Sequence, residues 1–305
     1  MAATKTKPID FVVPLVNHRD TQWQKDFARA VLESGMNQFH ASSRWRNWDT
    51  DKYIFRAIEE NMPWVNQVHV IVARKSQIPA WLDTSKVHVV CHADIMPARH
   101  LPTFNSQAIE MYLKNIPGLA EQFVYSNDDF FPLSKMNKTD FFKFGKPCLH
   151  HEEREWTEAD NTLFRYVCRS GLQLVAHALG IDVGNKWLKF THGMSPMLLS
   201  GHKKLWKLVG KALDNNATVF RSRRNFNQYV FNYYQVLTGE YINHTPATIY
   251  RETGGDIDEL CEQIEHGKGV FILNDAAAGE NWHPVRDRIK AAFEKRFPSK
   301  SKYEV

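Results

Sequence analysis

The chain has 305 residues, 43% of them hydrophobic and 24% charged, with a formal net charge of +5. That length and balance describe an ordinary globular protein with room for one large α/β domain, or one domain carrying an insertion. The charge is too small and too dispersed for a nucleic-acid footprint, no apolar run approaches a membrane span, and four scattered cysteines without a CxxC pair read as reduced thiols.

The first ten residues, MAATKTKPID, are basic but are not followed by an apolar core of signal-peptide length. The expectation is a cytoplasmic protein whose modest positive charge favours anionic substrates or an anionic membrane face. The run 9–16 is continuously apolar and ends in Asn17-His18-Arg19-Asp20, the pattern of a strand buried on both faces. A helix is predicted over 24–32 and another over 53–61, stopped by Met62-Pro63. Strands follow at 68–73 and 87–91, with a short helical turn at 79–82 between them. A helix at 105–114, capped by Asn105 or Ser106, precedes a strand at 123–126. Strands alternating with helices predict a Rossmann-like, mostly parallel sheet that binds ligands at its strands' carboxyl ends. Beyond about residue 140 the pattern becomes helical, at 157–179 from a Thr157/Asp160 start, at 197–213 and at 226–237. A strand at 270–273 is expected to return to the sheet, and a helix at 284–297 to close the chain, with the lysine-rich 295–302 read as a solvated tail. The predicted organisation is an α/β core from 1–140, a mainly helical insertion from 141–240 carrying acceptor-side residues, and 241–305 completing the core.

Asp128 and Asp129 stand at the end of the 123–126 strand. Paired carboxylates there are costly to bury, and a hard metal shared with substrate phosphates compensates that cost. Asn-Asp is also good turn chemistry, so the residues by themselves fit a turn as well as a metal site. Thr103, Asn105 and Gln107 open a helix, a natural anion site, although ordinary capping needs the same residues. Arg221 precedes another helix, where its guanidinium suits paired phosphate oxygens or a surface salt bridge. His150-His151-Glu152-Glu153 has ligand chemistry, but adjacent side chains rarely converge on one ion, so it reads as a polar loop.

The stretch 100–129, HLPTFNSQAIEMYLKNIPGLAEQFVYSNDD, resembles the longest block of the Stealth family of sugar-phosphate transferases. The block starts at Ser43-Arg44-Trp45-Arg46-Asn47-Trp48 and continues through Arg56-Ala57-Ile58-Glu59, Pro63-Trp64-Val65 and 77–82. The segment 9–20 is similar to the family's opening block, with Leu15 where a Trp and His18 where a Gly is common. His192-Gly193-Met194-Ser195-Pro196 with 220–229 resembles the third block, and Leu273-Asn274-Asp275 with the helix to Pro298 the fourth.

The resemblance implies transfer of a sugar-1-phosphate, expected to be N-acetylhexosamine-1-phosphate, from a UDP-sugar to a glycan hydroxyl. The product is a phosphodiester in capsular or exopolysaccharide, and UMP leaves. It implies Mg2+ or Mn2+ on Asp128, Asp129 and Asp275 with Asn274, phosphate binding by Arg221 and a proton-handling His192. It places Asn17, Asp20, Arg44, Asn105 and Gln228 near substrate, and Asn225 where the family often has an acid. A lipid-linked acceptor would bring the enzyme to the inner face of the plasma membrane through peripheral contact. The oligomeric state is left open. Two other readings share these motifs: a conventional metal-dependent glycosyltransferase that releases UDP, and a nucleotide-binding protein without turnover.

Overall fold

The computed structural model describes residues 7–35, 48–157, 159, 162–275 and 282–305. In chain order come β1 (Ile9–Pro14), α1 (Thr21–Ser34), α2 (Asp51–Asn61), β2 (Val68–Val72), β3 (His88–Cys91), α3 (His92–Ile95), α4 (Ser106–Met111) and β4 (Gln122–Tyr125). Then follow β5 (Phe130–Pro132), α5 (Lys138–Phe141), β6 (Phe142–Lys143), β7 (Lys146–Leu149), β8 (His151–Glu155), α6 (Leu163–Leu179), β9 (Lys186–Phe190) and β10 (Ser195–Leu198). The remainder is α7 (Leu199–Asn215), α8 (Tyr229–Leu237), β11 (Ile242–Asn243), β12 (Thr248–Glu252), α9 (Ile257–His266), β13 (Val270–Asn274) and α10 (His283–Arg296).

The central sheet runs β3, β2, β1, β4, β10. Its first four strands are parallel, and β10 is antiparallel to β4. Side chains alternate across a strand, so β1 feeds two cores at once. Ile9, Phe11 and Val13 pack with α2, α9 and α10, through residues such as Phe55, Ile264 and Phe293. Val12 packs on the other face with Ile71, Phe123 and Tyr125 against α4, α6 and α8, among them Leu172 and Tyr233. This burial on both faces is why β1 reads as an unbroken apolar run. The α/β class with a parallel-dominated sheet is thus the one expected.

Several elements differ from expectation. The strand at 270–273 does not join the central sheet. The free edge of β4 is already taken by β10, and β13 instead pairs parallel with β12 and antiparallel with β5 in a second sheet. Residues 195–198 form β10, not the start of a helix; Pro196 is tolerated because β10 is an edge strand. α7 begins only at Leu199 and kinks at Val209. The 141–240 region therefore carries β6 to β10 besides its three long helices. The long helix there starts at Leu163, capped by Thr162, and ends at Gly180 in the left-handed conformation that glycine adopts freely; Asp160 lies outside the described residues. Residues 151–153 belong to strand β8, paired with β9, rather than to a loop, and His150 directly precedes it.

The basic C-terminal segment is not a free tail. Phe297, Ser301 and Tyr303 are buried, and Tyr303 O accepts from Asp83 N–H at 2.8 Å. Arg56 of α2 holds it, donating to both carboxylate oxygens of Glu304 at 2.8 and 2.9 Å and to Phe297 O at 2.7 Å. The turn expected at 79–82 forms as a single turn closed by Leu82 N–H donating to Pro79 O at 3.0 Å, after a 3-10 helix at Lys75–Gln77, and Leu82 then bridges to Glu304. Among the described residues no helix is long and apolar enough to cross a membrane, and the four cysteines are unpaired.

Candidate active site

A cleft of about 930 Å³ opens at the carboxyl ends of β1 and β4. β4 carries the chain to Ser126, whose N–H still donates to Val12 O of β1 at 2.9 Å, and then releases it into Asn127-Asp128-Asp129. From there β5 peels away to pair with β13, Phe130 opposite Ile272 and Phe131 opposite Phe271. The next rung is Leu273 N–H donating to Asp129 O at 3.0 Å. Asn127, Asp128, Asp129, Asn274 and Asp275 thereby line one cleft, although about 145 residues separate the two acidic loops.

The carboxylates are poorly compensated. Burial raises the pKa of both Asp128 and Asp129, and for Asp129 the neighbouring charge of Asp128 raises it further. Asp129 Oδ1 is buried with no hydrogen-bond partner. Asp275 Oδ1 accepts from Thr253 Oγ1 at 3.4 Å. The donor set is all oxygen, the chemistry of a hard cation. Among the described residues no three acidic, histidine or cysteine side chains close into a ready-made cage, so an ion here would complete its coordination with substrate oxygens and water.

His192 enters the cleft between β9 and β10. Its ring meets Phe130 edge-on at 5.1 Å, and its Nδ1 lies 3.4 Å from Tyr229 Oη. Burial lowers its pKa, which leaves a neutral imidazole at physiological pH. Arg221 faces the same cleft and donates from Nη2 to Ser106 Oγ at 2.5 Å. Its charge lowers the pKa of both aspartates, partly opposing burial.

Other expected site residues serve the scaffold. Asn105 is fully buried and caps α4 through Gln107 N–H. Its amide donates to Thr218 Oγ1 at 3.1 Å and Asn225 Oδ1 at 3.3 Å, so it pins the loop that carries Arg221. Asn225 completes the pin: its Oδ1 accepts from Ser222 N–H at 2.6 Å and its Nδ2 donates to Asn216 O at 3.0 Å. Gln228 is buried and meets Glu110 through its backbone N–H at 2.7 Å. Asn17 accepts from Arg19 N–H at 3.0 Å in a local turn, and Asp20 caps α1 by accepting from Trp23 N–H at 2.6 Å. None of these five lines the cleft. Arg44 lies outside the described residues.

Glu110 was not anticipated. It is buried beneath the site, its pKa pushed up to about 7 by burial, with the Arg221 charge acting the other way. Ser106 and Glu110 are four residues apart and share a helix face, the available sequence signal. Glu152, Lys189, Tyr250 and Trp48 also line the cleft without having been singled out as site residues.

Residues 44–148 match the family model described as Stealth protein CR2, conserved region 2. The exopolysaccharide phosphotransferase cps2G of Lactiplantibacillus plantarum is 30% identical, the alignment covering 97% of this chain and 96% of that protein. The chain belongs to the Stealth family. The capsular polysaccharide phosphotransferase WcwK of Streptococcus pneumoniae is 29% identical over 97% of this chain and 98% of its own length. The receptor polysaccharide phosphotransferase WefC of Streptococcus oralis is 26% identical over 97% and 99%. The chain thus spans essentially the whole length of these Stealth relatives.

Proposed function

We propose that this Stealth protein is a phosphotransferase of polysaccharide synthesis that moves a sugar-1-phosphate from a UDP-sugar, an N-acetylhexosamine donor, to a glycan hydroxyl. The observation that carries the reading is the unpartnered, buried Asp129 Oδ1 in a cleft that also holds Arg221 and a neutral His192. The names of its relatives as polysaccharide phosphotransferases support the reaction class.

His192 takes the proton of the acceptor hydroxyl as its oxygen attacks the phosphorus next to the sugar. The bond to the bridging oxygen breaks, and nucleoside monophosphate leaves with that oxygen. Arg221 offers a two-pronged donor to the non-bridging oxygens, where negative charge accumulates. Asp128 and Asp129, with Asp275 and Asn274 beside them, would hold Mg2+ or Mn2+. Such an ion supplies charge neutralisation on the diphosphate. A lipid-linked glycan as acceptor would place the protein at the inner membrane face.

The deciding experiment is to separate the nucleotides after incubation with magnesium, a panel of nucleotide sugars and a short acceptor glycan. Acceptor-dependent nucleoside monophosphate supports phosphotransfer. Nucleoside diphosphate means attack at the anomeric carbon and conventional glycosyl transfer.

A further inference from the structure

Two large aromatic side chains stay exposed inside the cleft, and both flank His192. Phe164 is 43% exposed and Tyr250 44%, and both line the cleft. The Phe164 ring centre lies 6.5 Å from that of His192 and the Tyr250 ring centre 6.1 Å, each pair meeting edge to face. They come from separate parts of the fold, Phe164 from the first turn of α6 and Tyr250 from the middle of β12.

The exposure of Phe164 runs against the pattern of its own helix. It opens the apolar stripe of α6, whose later members Cys168, Leu172 and Val175 are buried in the core. Tyr250 lies on an edge strand, and its hydroxyl bonds to the Asn274 side chain, so its ring reaches from His192 toward the acidic loop. Aromatic surface left open inside a cleft is the surface a ligand covers. The polar rim beside it is formed by Glu152 and Lys189, which face each other across the β8–β9 register and also line the cleft. One accepts hydrogen bonds and the other donates them. A pyranose ring matches this combination. Its C–H face carries weakly positive hydrogens that pack on the negative face of an aromatic ring, and its hydroxyl rim needs donors and acceptors.

We propose that Phe164 and Tyr250 are the platform for the acceptor sugar, which turns one hydroxyl toward His192 and the others toward Glu152 and Lys189. The inference deepens the transferase reading above and rests on it, because that reading gives His192 an acceptor hydroxyl to deprotonate. The platform flanks the base itself, whereas the groups suited to the donor's diphosphate are Arg221 and the aspartates.

The test is initial-rate kinetics of the full chain with magnesium, UDP-N-acetylglucosamine and a panel of short neutral oligosaccharides. Phe164→Ala is expected to raise the acceptor KM about tenfold, the scale of a lost aromatic contact, with kcat and the donor KM little changed. Phe164→Tyr and Tyr250→Phe keep a flat ring and should keep the wild-type acceptor KM. Phe164→Leu keeps apolar bulk without the flat face and should not. An unchanged acceptor KM in Phe164→Ala overturns the platform and leaves the transferase reading standing. A raised donor KM instead assigns the rings to the donor sugar and overturns the proposal in the same way. Release of nucleoside diphosphate with the expected KM pattern overturns phosphotransfer but upholds the platform. Should no oligosaccharide turn over, saturation-transfer NMR decides. Transfer to saccharide C–H protons that is lost in Phe164→Ala and undiminished by UDP-N-acetylglucosamine supports the platform; absent transfer, or equal transfer in wild type and variant, overturns it.

Discussion

The backbone N–H of Leu273 donates to the carbonyl oxygen of Asp129 at 3.0 Å. This rung is where the antiparallel β5–β13 pairing reaches the cleft, and it sets Asn274 and Asp275 beside Asp128 and Asp129. The second sheet therefore acts as a positioning device: its register, not any local signal, decides which acids share the site.

Asp129→Asn should abolish turnover while leaving the thermal midpoint unchanged or higher, because it removes a poorly compensated buried charge. Paired turnover and melting measurements check this; a variant with wild-type rate removes Asp129 from the chemistry.

The same pair predicts a pH signature in the metal-free chain. The folded pKa is raised above the ordinary aspartate value of 3.8. Below that value both states are protonated and no penalty exists. As pH rises, the unfolded chain ionises while the folded pair retains its proton, so stability is lost up to the raised folded value. The melting gap between wild type and Asp129→Asn should widen in the variant's favour from pH 4 to about 8, and magnesium should close it. A pH-independent gap contradicts the assignment.

His192→Ala should lower kcat by ~10²–10⁴-fold, the scale of general base loss, with little change in KM. Its depressed pKa puts the acid limb of the kcat/KM profile below the ordinary histidine value of 6.5. A change confined to KM would make His192 a binding group.

Asn225→Asp tests the pin beneath Arg221. The substitution introduces an acid but loses the donor to Asn216 O and Thr218 Oγ1. A cost of ~1–3 kcal/mol is expected from denaturant unfolding, with activity falling as the Arg221 loop loosens.

Arg56→Ala should cost ~3–5 kcal/mol, because Glu304 would be left buried without its partner. Activity per folded molecule should be retained. Equal loss of activity at temperatures well below melting would place Arg56 in the site instead.

Much of this protein was legible from local pattern. Burial on both faces produced the apolar runs of β1, β2 and β4, and the Asn105 cap and the helix stop at Met62-Pro63 have local chemistry that short segments express by themselves. The cleft residues Asp128, Asp129, Asp275, His192 and Arg221 were also named from sequence, the last three chiefly through resemblance. Glu110 escaped because an acid on a short helix reads as solvent-facing, and only packing against Tyr125 and Gln228 buries it. Asn105 and Gln228 looked like substrate contacts because polarity in a motif does not reveal which way a side chain is spent; both are consumed in buried hydrogen bonds that the fold requires.

The sequence by itself determined the strand and helix periodicities, the order of the motif blocks and the chemical type of the site: carboxylates, an arginine and a histidine. The tertiary structure alone decided the partners. That β13 pairs with β5 rather than the central sheet, that the basic tail is clamped by Arg56 and that Asn105 grips Thr218 all depend on pairings between segments tens to hundreds of residues apart. Such contacts form only when burial and edge availability outweigh the entropy of bringing distant segments together, and no local sequence signal encodes that balance.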